Sequence, residues 1–234
     1  MTNTGRITAV SLGPGDPDLI TVKGLNVLKN ADKVYFPGSL FSTGNKVSYS
    51  EEILAHYNLD NKKCIGFYLE MNLDRLQANT VYDTTFELIK RDWENGLKIA
   101  VVSEGDASTY SSFSYLLERF KNVDIEIDVI PGITSYNLGA AISGTILGLQ
   151  NEKMTIIPRV QSSSELKEAM KDSKTIVLMK IRSVIDNIES VIKETNCSFV
   201  YCERLGTKKE FITSDWEVLK ERSIPYFSLI ILQK

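Results

Sequence analysis

Three short glycine-bearing loops constrain most strongly what this chain can fold into. Gly13-Pro14-Gly15-Asp16-Pro17 follows the apolar run Ile7–Leu12, Ser103-Glu104-Gly105-Asp106 follows Leu97–Val102, and Pro131-Gly132-Ile133-Thr134-Ser135 follows Ile125–Ile130. The segments after them have helical spacing, and a chain that alternates strand-like with helix-like periods predicts an α/β fold. Leu97–Val102 (LKIAVV) is nearly all apolar, as a strand covered on both faces requires. In open α/β sheets, ligands bind outside the carboxyl ends of the strands, where these loops would lie. Any one of them is explained equally well as a tight turn or a helix cap.

The same reading predicts further elements. Helices are expected over Ile20–Asn30 (Val22, Leu25 and Leu28 on one face), Ser50–His56, Leu73–Trp93 (one long helix or two), Tyr110–Phe120, Thr134–Leu147 and Val184–Ile192. Strands are expected over Asp32–Phe36, ended by Pro37-Gly38, and over Cys64–Leu69, Met154–Ile157, Thr175–Met179, Phe199–Cys202, Glu210–Thr213 and Tyr226–Leu232. With 234 residues the chain makes one large domain or two small ones. The polar gap at Lys121–Asp124 predicts a boundary there, giving domains 1–122 and 123–234, although one continuous sheet also fits the pattern.

Composition removes several function classes. Lys and Arg number 27 against 30 Asp and Glu, a net charge of −3, which argues against a nucleic-acid binder. Cys64, Cys197 and Cys202 form no CxxC pair, so neither a zinc site nor a disulfide framework is expected. A lone histidine, His56, excludes two-histidine catalysis and a His-rich metal site; no metal is expected. No apolar run approaches the ~18 residues that span a bilayer. MTNTGRITAV lacks the features of a signal peptide, so a soluble, cytoplasmic protein is expected. The loops match neither GxGxxG nor GxxxxGK[ST], which counts against a nicotinamide-dependent oxidoreductase and a P-loop enzyme.

VSLGPGDPDLITVKG, SEGDASTYSSFSYLLERF and VIPGITSYNLGAA, followed by TIVLMK, ERLGT and the terminal PYFSLIILQK, together resemble the tetrapyrrole methylases, colinearly over nearly the whole chain. Within that family, EGD…YSSFSYLLERF, the terminal PYFS and VYFPGS are most similar to the subgroup that methylates precorrin-2 or cobalt-precorrin-2 at carbon 20 in cobalamin biosynthesis. The resemblance implies two αβα domains with S-adenosyl-L-methionine in a cleft between them, S-adenosyl-L-homocysteine as product, and a homodimer. It implies cofactor-binding roles for Pro14, Gly105, Asp106, Ala107, Thr109, Thr134, Ser135, Met179 and Gly206, with Tyr110 around the same pocket. Asp106 and Tyr110 are the expected catalytic pair, orienting cofactor and substrate. Three positions depart from the family pattern: Ala107 stands for a Pro, Ser111 for a Gly and Gly38 for a Lys.

Methyl transfer from a sulfonium to carbon is an in-line displacement, which asks the protein chiefly for alignment and a dry site. That suits a chain with one histidine. A substrate with eight carboxylates needs cations, and Arg159, Lys180, Arg182 and Arg204 all follow predicted strand ends. Each read alone is equally a solvated loop residue, and Arg204 can pair internally with Glu203 or Glu210. Other methylases of the family, acting on uroporphyrinogen III or later corrins, and a non-catalytic S-adenosylmethionine-binding dimer are the alternatives.

Overall fold

The structure is a computed structural model and describes residues 5–70 and 75–234. The chain forms two compact units that divide between Thr134 and Ser135. The first contains β1 (Arg6–Ser11), α1 (Val22–Asn30), β2 (Lys33–Leu40), β3 (Lys46–Val47), α2 (Tyr49–Leu54), β4 (Cys64–Glu70), α3 (Arg75–Glu94), β5 (Lys98–Ser103), α4 (Phe113–Lys121) and β6 (Ile127–Ile130). Strands β6, β1, β5, β2 and β4 pair side by side, all parallel, and β3 closes antiparallel on the end of β2.

Successive side chains of a strand point to opposite faces, and both faces of this sheet are apolar. Ile7, Ala9, Ile99 and Val101 pack against Phe86 and Ile89 of α3 and Leu116 and Phe120 of α4. Val10, Ala100 and Val102 pack on the other face with Leu28 of α1 and Ile53 and Leu54 of α2. The LKIAVV strand is thus covered on both sides, and the parallel order sets the carboxyl ends of β1, β5 and β6 along one edge.

The second unit contains α5 (Ser135–Ser143), β7 (Met154–Ile157), α6 (Ser163–Asp172), β8 (Thr175–Met179), α7 (Ile185–Thr195), β9 (Ser198–Glu203), β10 (Phe211–Thr213), α8 (Trp216–Lys220) and β11 (Ser228–Gln233). Its strand order is β10-β9-β11-β8-β7. Strand β11 runs antiparallel between β9 and β8, so β7, β8 and β9 also end along a common edge. Leu166 and Met170 of α6, Ile188 and Val191 of α7 and Leu219 of α8 cover one face. Helix α5 covers the other through Ala140 against Cys202, Leu229 and Ile231.

The structure differs from the sequence expectation in several places. The division falls after β6 rather than at 122/123, because β6 pairs with β1 from Ile127 to Ile130 and completes the first sheet. Helix α1 starts at Val22 under a Thr21 cap, whose Oγ1 accepts from the Gly24 N–H at 3.0 Å. Val22 is therefore exposed, and Gly24 and Leu28 face the sheet. Strand β2 runs through Pro37-Gly38 to Leu40; past Tyr35 it has lost β5 as a partner, and an edge tolerates a proline with no N–H to donate. Helix α5 stops at Ser143 because Gly144 turns left-handed at φ +68°. Inside that helix, a Cβ on Gly139 would lie 3.1 Å from Cys202 Sγ, so glycine lets α5 lie close to the sheet. Helix α6 is missing from the expectation, and the start of the helix expected from Leu73 lies outside the described residues.

Candidate functional site

In the first unit the three glycine loops meet at the strand ends. Gly13 and Gly105 form an antiparallel bridge, with Gly13 N–H to Gly105 O at 3.1 Å and Gly105 N–H to Gly13 O at 2.7 Å. Both adopt left-handed backbone, at φ +81° and +64°. The third loop closes on this pair. A Cβ on Gly132 would sit 2.4 Å from Ser11 Cβ and 2.8 Å from the Gly105 carbonyl oxygen, so only glycine fits without displacement. The buried Ser11 hydroxyl joins all three, donating to Ile130 O at 2.7 Å and accepting from Ala107 N–H at 2.8 Å.

Asp106 is buried at the centre of this junction. Its Oδ2 accepts from Gly132 N–H at 2.8 Å, and its Oδ1 accepts from Ser108 N–H at 2.9 Å, from the Ser108 hydroxyl and from the Thr109 hydroxyl at 3.1 Å. Burial pushes the carboxyl up, but these donors outweigh it and hold Asp106 below its ordinary value. An ionised carboxylate so engaged organises the loops.

The other expected residues of this unit fall around the same edge. Ala107 is buried in the core and its N–H is used by Ser11. The Thr109 hydroxyl is engaged by Asp106. Thr134 is buried and Pro14 half-buried. Tyr110 is half exposed and left-handed at φ +51°, a conformation costing roughly 1–2 kcal/mol for an L-residue. It delays α4 to Phe113, short of the start expected at Tyr110. Gly105 provides the test of cofactor fit: a Cβ there would meet no protein atom within 4 Å. The loop thus presents bare backbone to open space, which leaves room for a ligand such as S-adenosylmethionine to approach it closely.

The second unit gathers basic residues at its own strand ends. Lys180 follows β8 and Arg204 follows β9, and both are left-handed, at φ +54° and +48°. Lys180 N–H donates to Ser228 O at 3.2 Å and Arg204 N–H to Phe227 O at 2.9 Å. Arg204 Nη1 lies 3.7 Å from the buried Glu203, the internal pair foreseen for it. Glu203 is held more closely by Arg222 at 2.6 Å and by the Tyr201 hydroxyl at 2.5 Å. Glu203 thus faces two guanidiniums, with Arg222 the nearer. Arg159 and Arg182 are exposed on the loops after β7 and β8. Met179 ends β8, and Gly206, at φ +73°, follows β9 with its N–H on Glu210 at 2.7 Å. Ser135 opens α5 in this unit.

Two features escaped the sequence reading. Glu104 lies in the second loop, where its Oε1 accepts from Ser50 N–H at 3.1 Å and the Ser50 hydroxyl at 2.7 Å; burial pushes its carboxyl above the ordinary value. Ser11 ends a strand, and nothing in the sequence marks its hydroxyl as a junction. The family departures also have local causes. A Cβ on Gly38 would lie 2.5 Å from the Tyr68 ring, which fills that space with Lys46 Nζ 4.6 Å over its centroid. The Ser111 hydroxyl pairs with that of Ser103 at 2.6 Å and accepts from Phe113 N–H at 3.1 Å, opening α4. Among the described residues, no cluster of His, Cys, Asp or Glu could hold a metal ion, and no helix is long and apolar enough to cross a membrane. Cys197 and Cys202 are buried in the core, and His56 is exposed.

The family described as tetrapyrrole (corrin/porphyrin) methylases matches residues 6–216. Cobalt-precorrin-2 C(20)-methyltransferase of Salmonella typhimurium is 25% identical over 98% of this chain and 97% of its own length. Precorrin-2 C(20)-methyltransferase of a Sinorhizobium species is 27% identical over 97% and 95%. Among solved structures, a cobalt-precorrin-4 methyltransferase aligns with a TM-score of 0.73 at 19% identity, covering 97% of this chain and 94% of its own. Uroporphyrin-III C-methyltransferase of Thermus thermophilus, complexed with S-adenosylhomocysteine, aligns with a TM-score of 0.67 at 18% identity over 98% of each chain. These structures share the fold.

Proposed function

The chain belongs to the tetrapyrrole (corrin/porphyrin) methylase family, and on that premise we propose that it moves a methyl group from S-adenosyl-L-methionine to carbon 20 of precorrin-2 or its cobalt complex, in cobalamin biosynthesis. The observation that carries this reading is that the chain contains two unlike strand edges, one in each unit. One offers open glycine backbone braced by the buried Asp106, and the other carries Lys180 and Arg204 at its strand ends. A sulfonium cofactor suits the first edge and a polycarboxylate the second. The near full-length relatives named for this reaction point the same way.

S-adenosylmethionine supplies an electrophilic methyl group on a positively charged sulfur. Gly105 admits it to the strand ends, and Asp106 keeps Gly132 and the Thr109 turn in register, as a positioning residue. Tyr110, projected from a strained backbone, lines the approach. Met179 and Gly206 serve the adenosine portion, by family resemblance. Arg159, Lys180, Arg182 and Arg204 bind the substrate carboxylates. Alignment supplies most of the acceleration, because displacement at a methyl group rewards a fixed donor–acceptor distance. The reading includes a homodimer acting in the cytoplasm, a compartment suited to three free thiols; light scattering at working concentration tests the dimer.

The function is tested by incubating the protein with methyl-labelled S-adenosylmethionine and precorrin-2, with and without cobalt, followed by mass spectrometry. Gain of one labelled methyl at carbon 20 is expected. No gain with either substrate overturns the assignment.

A further inference from the structure

The turn leading into β11 carries two neighbouring aromatic residues that the fold leaves in the open. Tyr226 and Phe227 are 44% and 43% exposed, although the final strand was expected to begin at Tyr226 and bury them. Their rings pack edge to face, centroids 5.2 Å apart at 87°, so the pair is mutually braced. An exposed aromatic pair at a strand edge marks a contact surface.

The neighbours of this turn identify the contact. Strand β11 lies between β8 and β9, and each of those strands is followed by a left-handed basic residue. The backbone of the aromatic turn holds both of them: Phe227 O accepts from Arg204 N–H and Ser228 O from Lys180 N–H. The turn itself is fixed by the Ser228 hydroxyl on Pro225 O at 2.8 Å. Non-glycine residues in this backbone region are strained, and such strain gathers at binding sites. Behind Arg204, the Arg222–Glu203 pair at 2.6 Å already takes up the buried carboxylate, so Arg204 retains charge for an external anion.

We propose that Tyr226 and Phe227 form a stacking platform for the planar face of the macrocycle, with Lys180 and Arg204 on either side of the turn taking its peripheral carboxylates. The inference rests on the tetrapyrrole reading above and adds the residues that recognise the ring itself. A platform flanked by cations selects a flat, carboxylate-rimmed molecule over an apolar one.

The test uses the full-length protein and a porphyrin octacarboxylate as a non-reactive probe, followed by fluorescence quenching, alongside the KM for precorrin-2. Phe227→Ala and Tyr226→Ala are each expected to weaken probe binding and raise KM about tenfold, the scale of lost aromatic stacking. S-adenosylhomocysteine affinity should stay within about twofold. Phe227→Tyr should restore binding and Phe227→Leu, which keeps the bulk without the aromatic face, should not; this pair controls for misfolding. Unchanged probe affinity overturns the platform. So does a loss of S-adenosylhomocysteine affinity instead, which would put the rings against the adenosine, or a change in oligomeric mass, which would put them against a second copy of the chain. Failure of the unaltered protein to methylate either precorrin-2 or its cobalt complex refutes the tetrapyrrole reading, whereas normal methylation with probe binding absent or insensitive to both ring substitutions refutes the platform alone.

Discussion

At the ends of β1, β5 and β6 the chain is built from glycines, serines and carboxylates; at the ends of β7, β8 and β9 it is built from lysine, arginine and exposed aromatic rings. The two edges also use backbone strain differently. At the first edge Gly13 and Gly105 are left-handed, where the strain is small and the gain is close approach, with Tyr110 the strained exception. At the second, Lys180 and Arg204 hold the same conformation at a cost, with both backbone N–H groups tied to the turn that leads into β11. The contrast explains how a chain of net charge −3 can serve a polyanionic substrate. The average charge sets long-range attraction, while a few cations on one edge set the local field.

The contrast can be broken from either side. The largest effect is expected at Gly132→Val, whose branched side chain would meet Ser11 and the Gly105 carbonyl. Overpacking there should cost about 3 kcal/mol, seen as a lowered unfolding midpoint and lost S-adenosylhomocysteine binding in calorimetry. Arg204→Ala should act on the other edge, raising the KM for the macrocycle roughly 30-fold for about 2 kcal/mol of lost charge-assisted hydrogen bonding, with cofactor affinity unchanged.

Smaller effects separate the two carboxyls of the second loop by the sign of their pH dependence. Asp106 is held below its unfolded value of 3.8, so the stability it lends is present above that pH and lost as pH falls through the lowered value. Asp106→Asn should therefore cost about 1.5 kcal/mol near neutrality and progressively less in acid. Glu104 is raised above its unfolded value of 4.5, so its contribution is full below that pH and lost as pH rises through the raised value. Glu104→Gln should gain stability relative to the unaltered protein as pH rises; thermal melts from pH 3 to 8 would show the two trends diverging. Ser11→Ala, which removes the shared hydroxyl, should lower the melting point by about 2–4 °C, the shift for roughly 1 kcal/mol.

Legibility in the sequence followed the same divide. The first unit was largely readable, because glycine and proline after an apolar run announce a strand end, and LKIAVV announces a strand covered twice. Its hydrogen-bond junction was not, since a serine ending a strand looks like any other and Ser50 meets Glu104 only through the fold. The boundary was misplaced because β6, an edge strand with a polar face, looks like the start of a new unit until its partner β1 is known. Helix α6 does carry a local signal: Ser162 caps Glu165 N–H, and Leu166, Ala169 and Met170 follow at helical spacing. Tyr226 and Phe227 misled in the opposite sense, since aromatic residues beside an apolar run look like strand core and only their exposure shows otherwise.

The most direct test of the account is a crossed titration of two variants, Gly105→Ala and Arg204→Ala, with S-adenosylhomocysteine and with a porphyrin octacarboxylate. A Cβ on Gly105 meets no protein atom but holds an alanine at φ +64°, a cost of roughly 1–2 kcal/mol, so thermal melts accompany the titration to confirm that the variant is folded, with its methyl group in the open space above the loop. Gly105→Ala is predicted to weaken S-adenosylhomocysteine about tenfold and leave the macrocycle unaffected, and Arg204→Ala is predicted to do the reverse. Equal losses of both ligands in both variants, or an exchange of the two patterns, would contradict the division of labour between the two edges.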